Sequence, residues 1–230
     1  VSPRIFNGQP ADKGQFPWQV AIHIPKSDGL HFCGGALISD EWILTAGHCV
    51  RGIVLGSVDL EVDDPDRVEV NATEYVLHEE YDPYIFDNDI GAIKLLTPLT
   101  FNDYVKPIAL NSDEMVSNIS VIVSGWGRTS DDPDANITSQ LNYANLRVIS
   151  NDECQKHTSV LTPGMLCTVP DDSIQNICGG DSGGALVADL FINPTHVALV
   201  SWYKMCESDK VAGYTRTSYY RDWIKRVTQV

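Results

Sequence analysis

From Phe16 onward the sequence is a succession of short apolar runs broken by turn-forming residues, and this rhythm limits the folds open to it. The runs are Trp18–Ile24, His31–Ile38, Glu41–Leu44, Val68–Leu77, Ile90–Leu96, Ile119–Ser124, Asn142–Ile149, Ala185–Leu190, His196–Trp202 and Ala212–Thr215. Such lengths suit β-strands, and with no helical stretches between them they exclude βαβ units and point to an antiparallel barrel or sandwich. One helix is expected, at the end. In Ser218–Val230, the residues Tyr220, Trp223, Ile224 and Val227 recur at helical spacing, and Lys225 and Arg226 sit where the helix dipole favours cations. The 230 residues, 43% of them apolar, fill one large all-β domain or two half-size units. There is no internal repeat, so a division into halves falls in the polar stretch Leu110–Asn118.

Against this background Cys178-Gly179-Gly180-Asp181-Ser182-Gly183-Gly184 stands out. Glycines this dense are unfavourable in a strand or helix, and they suit a backbone that bends tightly and approaches a ligand. A serine there becomes a nucleophile only with a base, a group that orients the base and donors for the oxyanion. His48, at the end of an apolar run and beside Cys49, and Asp89, just before the run Ile90–Leu96, supply the residue types. Each alone reads as structural; the three together make a nucleophile, base and orienting carboxylate.

The net charge of −15 makes nucleic acid and anionic membranes poor partners. No apolar run reaches the roughly 20 residues of a membrane-spanning helix, and no signal segment opens the chain. The acidic stretch Asp59–Asp66 lacks the glycine pivot and closing glutamate of a helix–loop–helix calcium site and reads as a solvated loop, as does Asp131–Asp134. Six cysteines suit an oxidising compartment, and sequons at Asn71, Asn118 and Asn136 add to the case for a secreted glycoprotein. At the start, Val1-Ser2-Pro3-Arg4 gives way to Ile5-Phe6-Asn7-Gly8, which reads either as an ordinary extended terminus or as a site cut after arginine.

The chain resembles the chymotrypsin-like, trypsin-fold serine endopeptidases. The resemblance rests on Ile5-Phe6-Asn7-Gly8, Cys33-Gly34-Gly35, Thr45-Ala46-Gly47-His48-Cys49, Asn88-Asp89-Ile90, Ser124-Gly125-Trp126-Gly127, Gly180-Asp181-Ser182-Gly183-Gly184, Ser201-Trp202 and Trp223-Ile224, and it spans Ile5 to Val230. It implies two six-stranded antiparallel barrels packed together with a C-terminal helix, residues 5–230 forming the peptidase domain and 1–4 a propeptide remnant. It implies that Ser182 attacks the scissile carbonyl, His48 moves the proton, Asp89 orients His48, and the backbone N–H groups of Gly180 and Ser182 hold the oxyanion. Ser201 would hydrogen-bond near Asp89, and its neighbouring backbone would pair with an extended substrate. Cleavage after Arg4 would free an ammonium at Ile5 that pairs with Asp181, so the chain as written resembles a zymogen awaiting a trypsin-like activator. The implied disulfides are Cys33–Cys49, Cys154–Cys167 and Cys178–Cys206, out of the fifteen pairings that six cysteines allow. Neither cofactor nor metal is required. The partners implied are protein or peptide substrates and protein inhibitors, for a secreted monomer with a digestive role. The alternative is a protease-like binding protein without turnover, but such proteins usually lose a triad residue and here all three match.

Several positions depart from the family pattern. Asn176 stands where trypsins have the pocket-base aspartate, which argues against a preference for arginine or lysine. Tyr203 stands where trypsins and chymotrypsins have glycine; turned inward it narrows the pocket, turned outward it leaves it open. Ile177 makes the wall more apolar, Ala212 is small, and Trp202 lies between Ser201 and Tyr203. A preference for small or medium apolar residues before the cleaved bond follows, elastase-like more than chymotrypsin-like. Phe86 forms either an apolar wall for the preceding substrate residue or mere loop packing. Gly47 replaces the usual alanine, Ala185 replaces the usual proline, and Ser57 falls near the glutamate position of the trypsin calcium loop.

Overall fold

The structure is a computed structural model that describes residues 5–26, 29–50, 54–56, 68–114, 117–132, 134–171, 174–206 and 210–230. Arg4, Ser57 and the acidic stretch 59–66 therefore lie outside the described residues. In chain order the elements are β1 (Gln9–Pro10), β2 (Gln19–Lys26), β3 (Gly29–Leu37), β4 (Trp42–Thr45), a short helical turn α1 (Gly47–Val50), β5 (Val54–Gly56), β6 (Ala72–Leu77) and β7 (Gly91–Leu95). Then follow β8 (Ala109–Leu110), β9 (Ser120–Gly125), β10 (Asn142–Ile149), α2 (Asn151–Gln155), β11 (Met165–Pro170), β12 (Ala185–Ala188), β13 (Thr195–Tyr203), β14 (Ala212–Arg216), a 3-10 turn (Thr217–Tyr220) and α3 (Arg221–Thr228).

The strands form two systems. The first is an antiparallel six-stranded sheet in the order β5-β2-β3-β4-β7-β6. In the second, β10-β11-β14-β13-β12-β9 close into a barrel because β9 pairs back onto β10 from Gly125↔Asn142 to Ser120↔Arg147. Closure leaves none of these six strands with a free edge. Strand β1 adds to the barrel on β10, and β8 runs parallel to β13 for two residues. The mostly β architecture with a terminal helix is the chymotrypsin-like fold that the sequence implied.

Alternation of side chains does the sorting. Along β10, Asn142, Ala144, Leu146 and Val148 are buried while the residues between them are half-buried, the period of two expected when one strand face lines a core. Leu146 joins Val121, Val123, Leu166, Leu186, Val200 and Tyr214 inside the closed barrel. Phe16, Trp18, Ile22, Leu37, Ile43 and Ile93 make the core of the first sheet, which Ala185 and Val187 of β12 extend towards the barrel. Helix α3 crosses back: Trp223 and Ile224 pack on Trp42, Leu44, Ile90 and Ala92 of the first sheet.

Two elements differ from the sequence expectation. Strand β11 was not anticipated; Met165–Thr168 are all buried and show no alternation, as in β4, β12 and β14, which were expected from their runs alone. The terminal helix starts later, after a turn of 3-10 helix whose Tyr220 is nonetheless buried, so the apolar stripe begins before the α-helix does.

Candidate active site

Strand β4 ends at Thr45, whose hydroxyl donates to the Gly34 carbonyl at 2.8 Å and so pins the strand end to β3. The chain then makes the short turn α1, which carries His48. Asp89 lies just before β7, the neighbour of β4, so adjacent strands deliver both residues to the same end of the sheet. Asp89 is fully buried. Its Oδ1 accepts the backbone N–H of His48 at 2.9 Å, and its Oδ2 lies 2.9 Å from His48 Nδ1. The Ser201 hydroxyl donates to the same Oδ2 at 2.6 Å, and the Thr215 hydroxyl to the Asp89 carbonyl at 2.7 Å. A buried carboxylate with this many donors is held in place, and its contact with Nδ1 leaves Nε2 of His48 as the nitrogen free to exchange a proton. The His48 side chain keeps 25% exposure, enough to meet a substrate.

Ser182 reaches the same place from the second system. Its carbonyl accepts the Gly34 N–H at 2.7 Å and lies 3.6 Å from Cys49 Sγ. Cys49 follows His48 and is bridged to Cys33 on β3, so the disulfide joins the His48 turn to the strand on which Ser182 rests. Among the described residues no hydrogen bond joins Ser182 Oγ to His48, as is common before substrate tightens a site. Gly180 has φ +101°, a conformation that side-chain-bearing residues rarely adopt.

Asp181, one residue before the serine, points the other way. Its carboxylate accepts the Gly127 N–H at 2.9 Å through Oδ1 and the Cys178 N–H at 2.9 Å through Oδ2. Burial is complete and pushes its pKa up to about 7, with the two backbone hydrogen bonds opposing the shift. The chamber exists because Gly125 and Gly127 lack side chains: a Cβ at Gly125 would stand 2.1 Å from Asp181 Oδ1, and one at Gly127 2.4 Å from its Cγ. This is the physical content of Ser124-Gly125-Trp126-Gly127. Ile5 is also buried, in the same apolar cluster as Ile177 and Leu186, and the backbone of Phe6 bonds to Asn176 in both directions at 3.1 and 3.3 Å.

The residues singled out for substrate contact fall into two groups. Asn176 is buried with its amide spent: Nδ2 donates to the Lys210 carbonyl at 2.9 Å and Oδ1 accepts the Ile177 N–H at 3.0 Å. Ile177 and Ala212 are fully buried in the barrel core. Tyr203 is packed against that core, and its hydroxyl lies 3.2 Å from where a Cβ on Gly179 would stand. Trp202 lays its indole into the space beside Gly213, where a Cβ would stand 1.9 Å from it. Phe86 meets His48 edge-on, with ring centroids 5.7 Å apart. The remaining disulfides join Cys154 to Cys167 and Cys178 to Cys206. Cys33, His48 and Cys49 are close enough to suggest a metal cluster, but the two sulfurs are bonded to each other. Asn71, Asn118 and Asn136 are all exposed. Sequence reasoning missed Thr215 and Thr162, which hold Asp89 and Asp87 from distant strands and loops, since nothing in their local pattern signals it.

A chymotrypsin-like fold with an imidazole–carboxylate pair beside a glycine-flanked serine defines a serine endopeptidase. The comparisons agree. Trypsin-1 of Astacus astacus is 33% identical over 235 residues, covering 96% of this chain and 98% of that protein. Brachyurin of Leptuca pugilator is 32% identical, covering 98% of this chain and 99% of its own length. The solved structure of HL collagenase superposes with a TM-score of 0.85 at 32% identity, covering 98% of this chain and 99% of that one. The trypsin family pattern matches residues 5–224, and the chain belongs to that family.

Proposed function

We propose that this endopeptidase is a secreted glycoprotein made as a zymogen, and that it cleaves after small or medium apolar residues using Ser182, His48 and Asp89. The observation that carries the catalytic reading is the buried Asp89 carboxylate on His48 Nδ1 at 2.9 Å, beside Ser182. Ser182 Oγ attacks the scissile carbonyl carbon while His48 Nε2 takes its proton, and the N–H groups of Gly180 and Ser182 bind the oxyanion. Collapse expels the amine, which takes the proton from His48, and leaves an acyl-enzyme. Water, deprotonated by His48, then releases the acid and restores Ser182. Asp89 stabilises the imidazolium at both stages.

For activation, cleavage after Arg4 gives Ile5 an ammonium that supplies Asp181 with a counter-charge. Two observations support this: among the described residues Asp181 is buried with only backbone donors, and Ile5 is β-branched with φ +48°. A β-branched residue in that region is strained by about 1–3 kcal/mol. Cutting the bond before Ile5 removes the constraint.

For specificity, the spent amide of Asn176 offers a basic substrate side chain no counter-charge, and a buried unpaired cation is strongly unfavourable. The Tyr203 ring, reaching to Gly179, favours short side chains over aromatic ones. A fluorogenic peptide panel with varied residues before the cleaved bond, run before and after trypsin treatment, tests the reading. The expected result is activity only after treatment and highest on alanine or valine. Highest activity on arginine or lysine would overturn the pocket assignment, and full activity with residues 1–4 still attached would overturn the zymogen.

A further inference from the structure

Asp89 is aimed by its neighbours as well as by its own hydrogen bonds. The preceding residue, Asn88, has φ +51°, in the left-handed region that asparagine tolerates better than most residues. Its carbonyl accepts the Ile90 N–H at 2.8 Å, so Asn88-Asp89-Ile90 is a tight turn with Asp89 at its apex. The Asn88 amide holds that turn from both sides. Nδ2 donates to the Glu80 carbonyl at 3.0 Å, and Oδ1 accepts the Tyr220 hydroxyl at 3.0 Å. The first contact closes the loop on itself; the second ties it to a segment more than a hundred residues away.

Tyr220 is well placed for such a tie. It ends the 3-10 turn that follows β14, so the segment whose Thr215 holds the Asp89 carbonyl also holds Asn88. The phenol is 4% exposed, and burial raises its pKa, so it stays protonated and donates. Its hydroxyl has little room, because a Cβ at Gly164 would lie 2.3 Å from it. Helix α3 anchors the same loop at its start. Trp223 Nε1 donates to Glu79 at 2.9 Å, Arg226 pairs with the same carboxylate, and the His78 ring packs on Tyr220 and Trp223 with centroids 5.5 and 5.4 Å away. With both ends fixed, the conformation left to set is that of the turn itself. From outside the loop, Thr162 reaches Asp87, and His48, Ser201 and Thr215 reach Asp89; the hydrogen bond that reaches Asn88 comes from Tyr220.

We propose that Tyr220 is a positioning residue for catalysis: through Asn88 it sets the carboxylate of Asp89 against His48. The inference rests on the triad reading given above. Removing the phenol oxygen leaves the aromatic packing in place and lets the turn relax, so Asp89 loses alignment with Nδ1 and the imidazolium is less well stabilised. The consequence falls on the chemical step and on the titration of His48, with substrate binding untouched.

The test uses Tyr220→Phe in the full chain after trypsin treatment, with rates normalised to titrated active sites. The expected result is a fall in kcat of about three- to tenfold, the loss of one neutral hydrogen bond. KM should stay unchanged, and the acid limb of the kcat/KM profile should move about half a unit to lower pH, since a poorer carboxylate contact makes His48 easier to deprotonate. A purely structural tyrosine would lower the melting temperature while leaving kcat per active site and the pH limb as they were, which overturns the proposal. Asn88→Gly, which keeps the backbone conformation and deletes the amide, should lower kcat in the same way. The double variant should then be no worse than the poorer single one; additive losses would show that Tyr220 does not act through Asn88. Asp89→Ala separates this inference from the reading beneath it. If that variant keeps full activity the triad itself fails, whereas a large loss there beside an unaltered Tyr220→Phe overturns only the positioning role.

Discussion

Two fully buried carboxyl groups, Asp89 and Asp181, flank the reactive serine, and they are satisfied in different ways. Asp89 receives a backbone N–H, an imidazole and a serine hydroxyl, all from residues that folding alone brings to it. Asp181 receives two backbone N–H groups, and burial leaves it with a pKa near 7. The first carboxylate is finished by the fold. The second sits in a chamber built to its shape, and on the proposed activation its counter-charge comes only from cutting the chain. On the proposed reading, the contrast puts catalytic power at one carboxylate and control at the other.

The largest effect is expected on the Asp89 side. Ser182→Ala and His48→Ala should each lower kcat by about 10^4- to 10^6-fold in the activated chain, because each stops covalent chemistry altogether. Binding of a substrate-like peptide should persist, since neither change empties the cleft. Steady-state rates with an immobilised-peptide binding assay measure both. A His48→Ala variant with full turnover would remove the basis for treating the Asp89 side as catalytic.

The next effect belongs to Asp181 and depends on pH. In the folded, uncleaved chain this group keeps its proton up to about pH 7, whereas the free side chain loses it near pH 3.8. The folded state therefore binds more protons across that window, and this group's contribution to stability is full below about pH 4 and declines as pH rises towards 7. Three units amount to about 4 kcal/mol as an upper bound. Urea unfolding at pH 4.5 and 7.5 should show that decline in the uncleaved chain and a smaller one after trypsin cleavage, when an ammonium favours the charged carboxylate. Asp181→Asn should flatten the curve of the uncleaved chain. Identical pH curves before and after cleavage would mean that the new terminus does not reach Asp181, and the contrast between the two carboxylates would lose its explanation.

Much of this was legible in the sequence because close-approach chemistry restricts residue type locally. Glycines beside Ser182 and around Trp126, histidine beside a cysteine, and aspartate before an apolar run each mark a place where few residues fit. Period two marks β10, where one face is buried; in β4, β11, β12 and β14, buried on both faces, it disappears, and of these four only β11 was not read from its run of residues. Tyr220 and Thr215 show the other limit. Tyr220 reads as one more apolar position in a helical stripe and Thr215 as the end of a strand, yet their hydroxyls hold Asn88 and Asp89. A hydroxyl that bonds across more than a hundred residues leaves no local pattern. Tyr203 lies between these cases: its unusual position could be read, but its direction depended on Gly179 leaving room for the ring.

The smallest effect tests how tightly the finished side is packed. Gly47 opens the turn α1, and a Cβ there would meet Leu77 Cδ1 at 2.8 Å, the Ile90 nitrogen at 3.1 Å and Asp89 Oδ1 at 3.2 Å. Alanine is favoured over glycine in a helical turn by roughly 0.5–1 kcal/mol, and overpacking costs about 1–3 kcal/mol. Leu77 is half-buried and its methyl can yield, but the Ile90 backbone and the Asp89 carboxylate are fixed by the hydrogen bonds already described. The crowding therefore outweighs the propensity. Gly47→Ala should lower stability by about 1 kcal/mol and kcat by a few-fold, since the added methyl pushes on the oxygen that accepts the His48 N–H. Thermal unfolding and active-site-titrated rates measure the two effects. A variant that is more stable and equally fast would show that Leu77 gives way completely, and that the space around Asp89 is as adjustable as that of an ordinary loop.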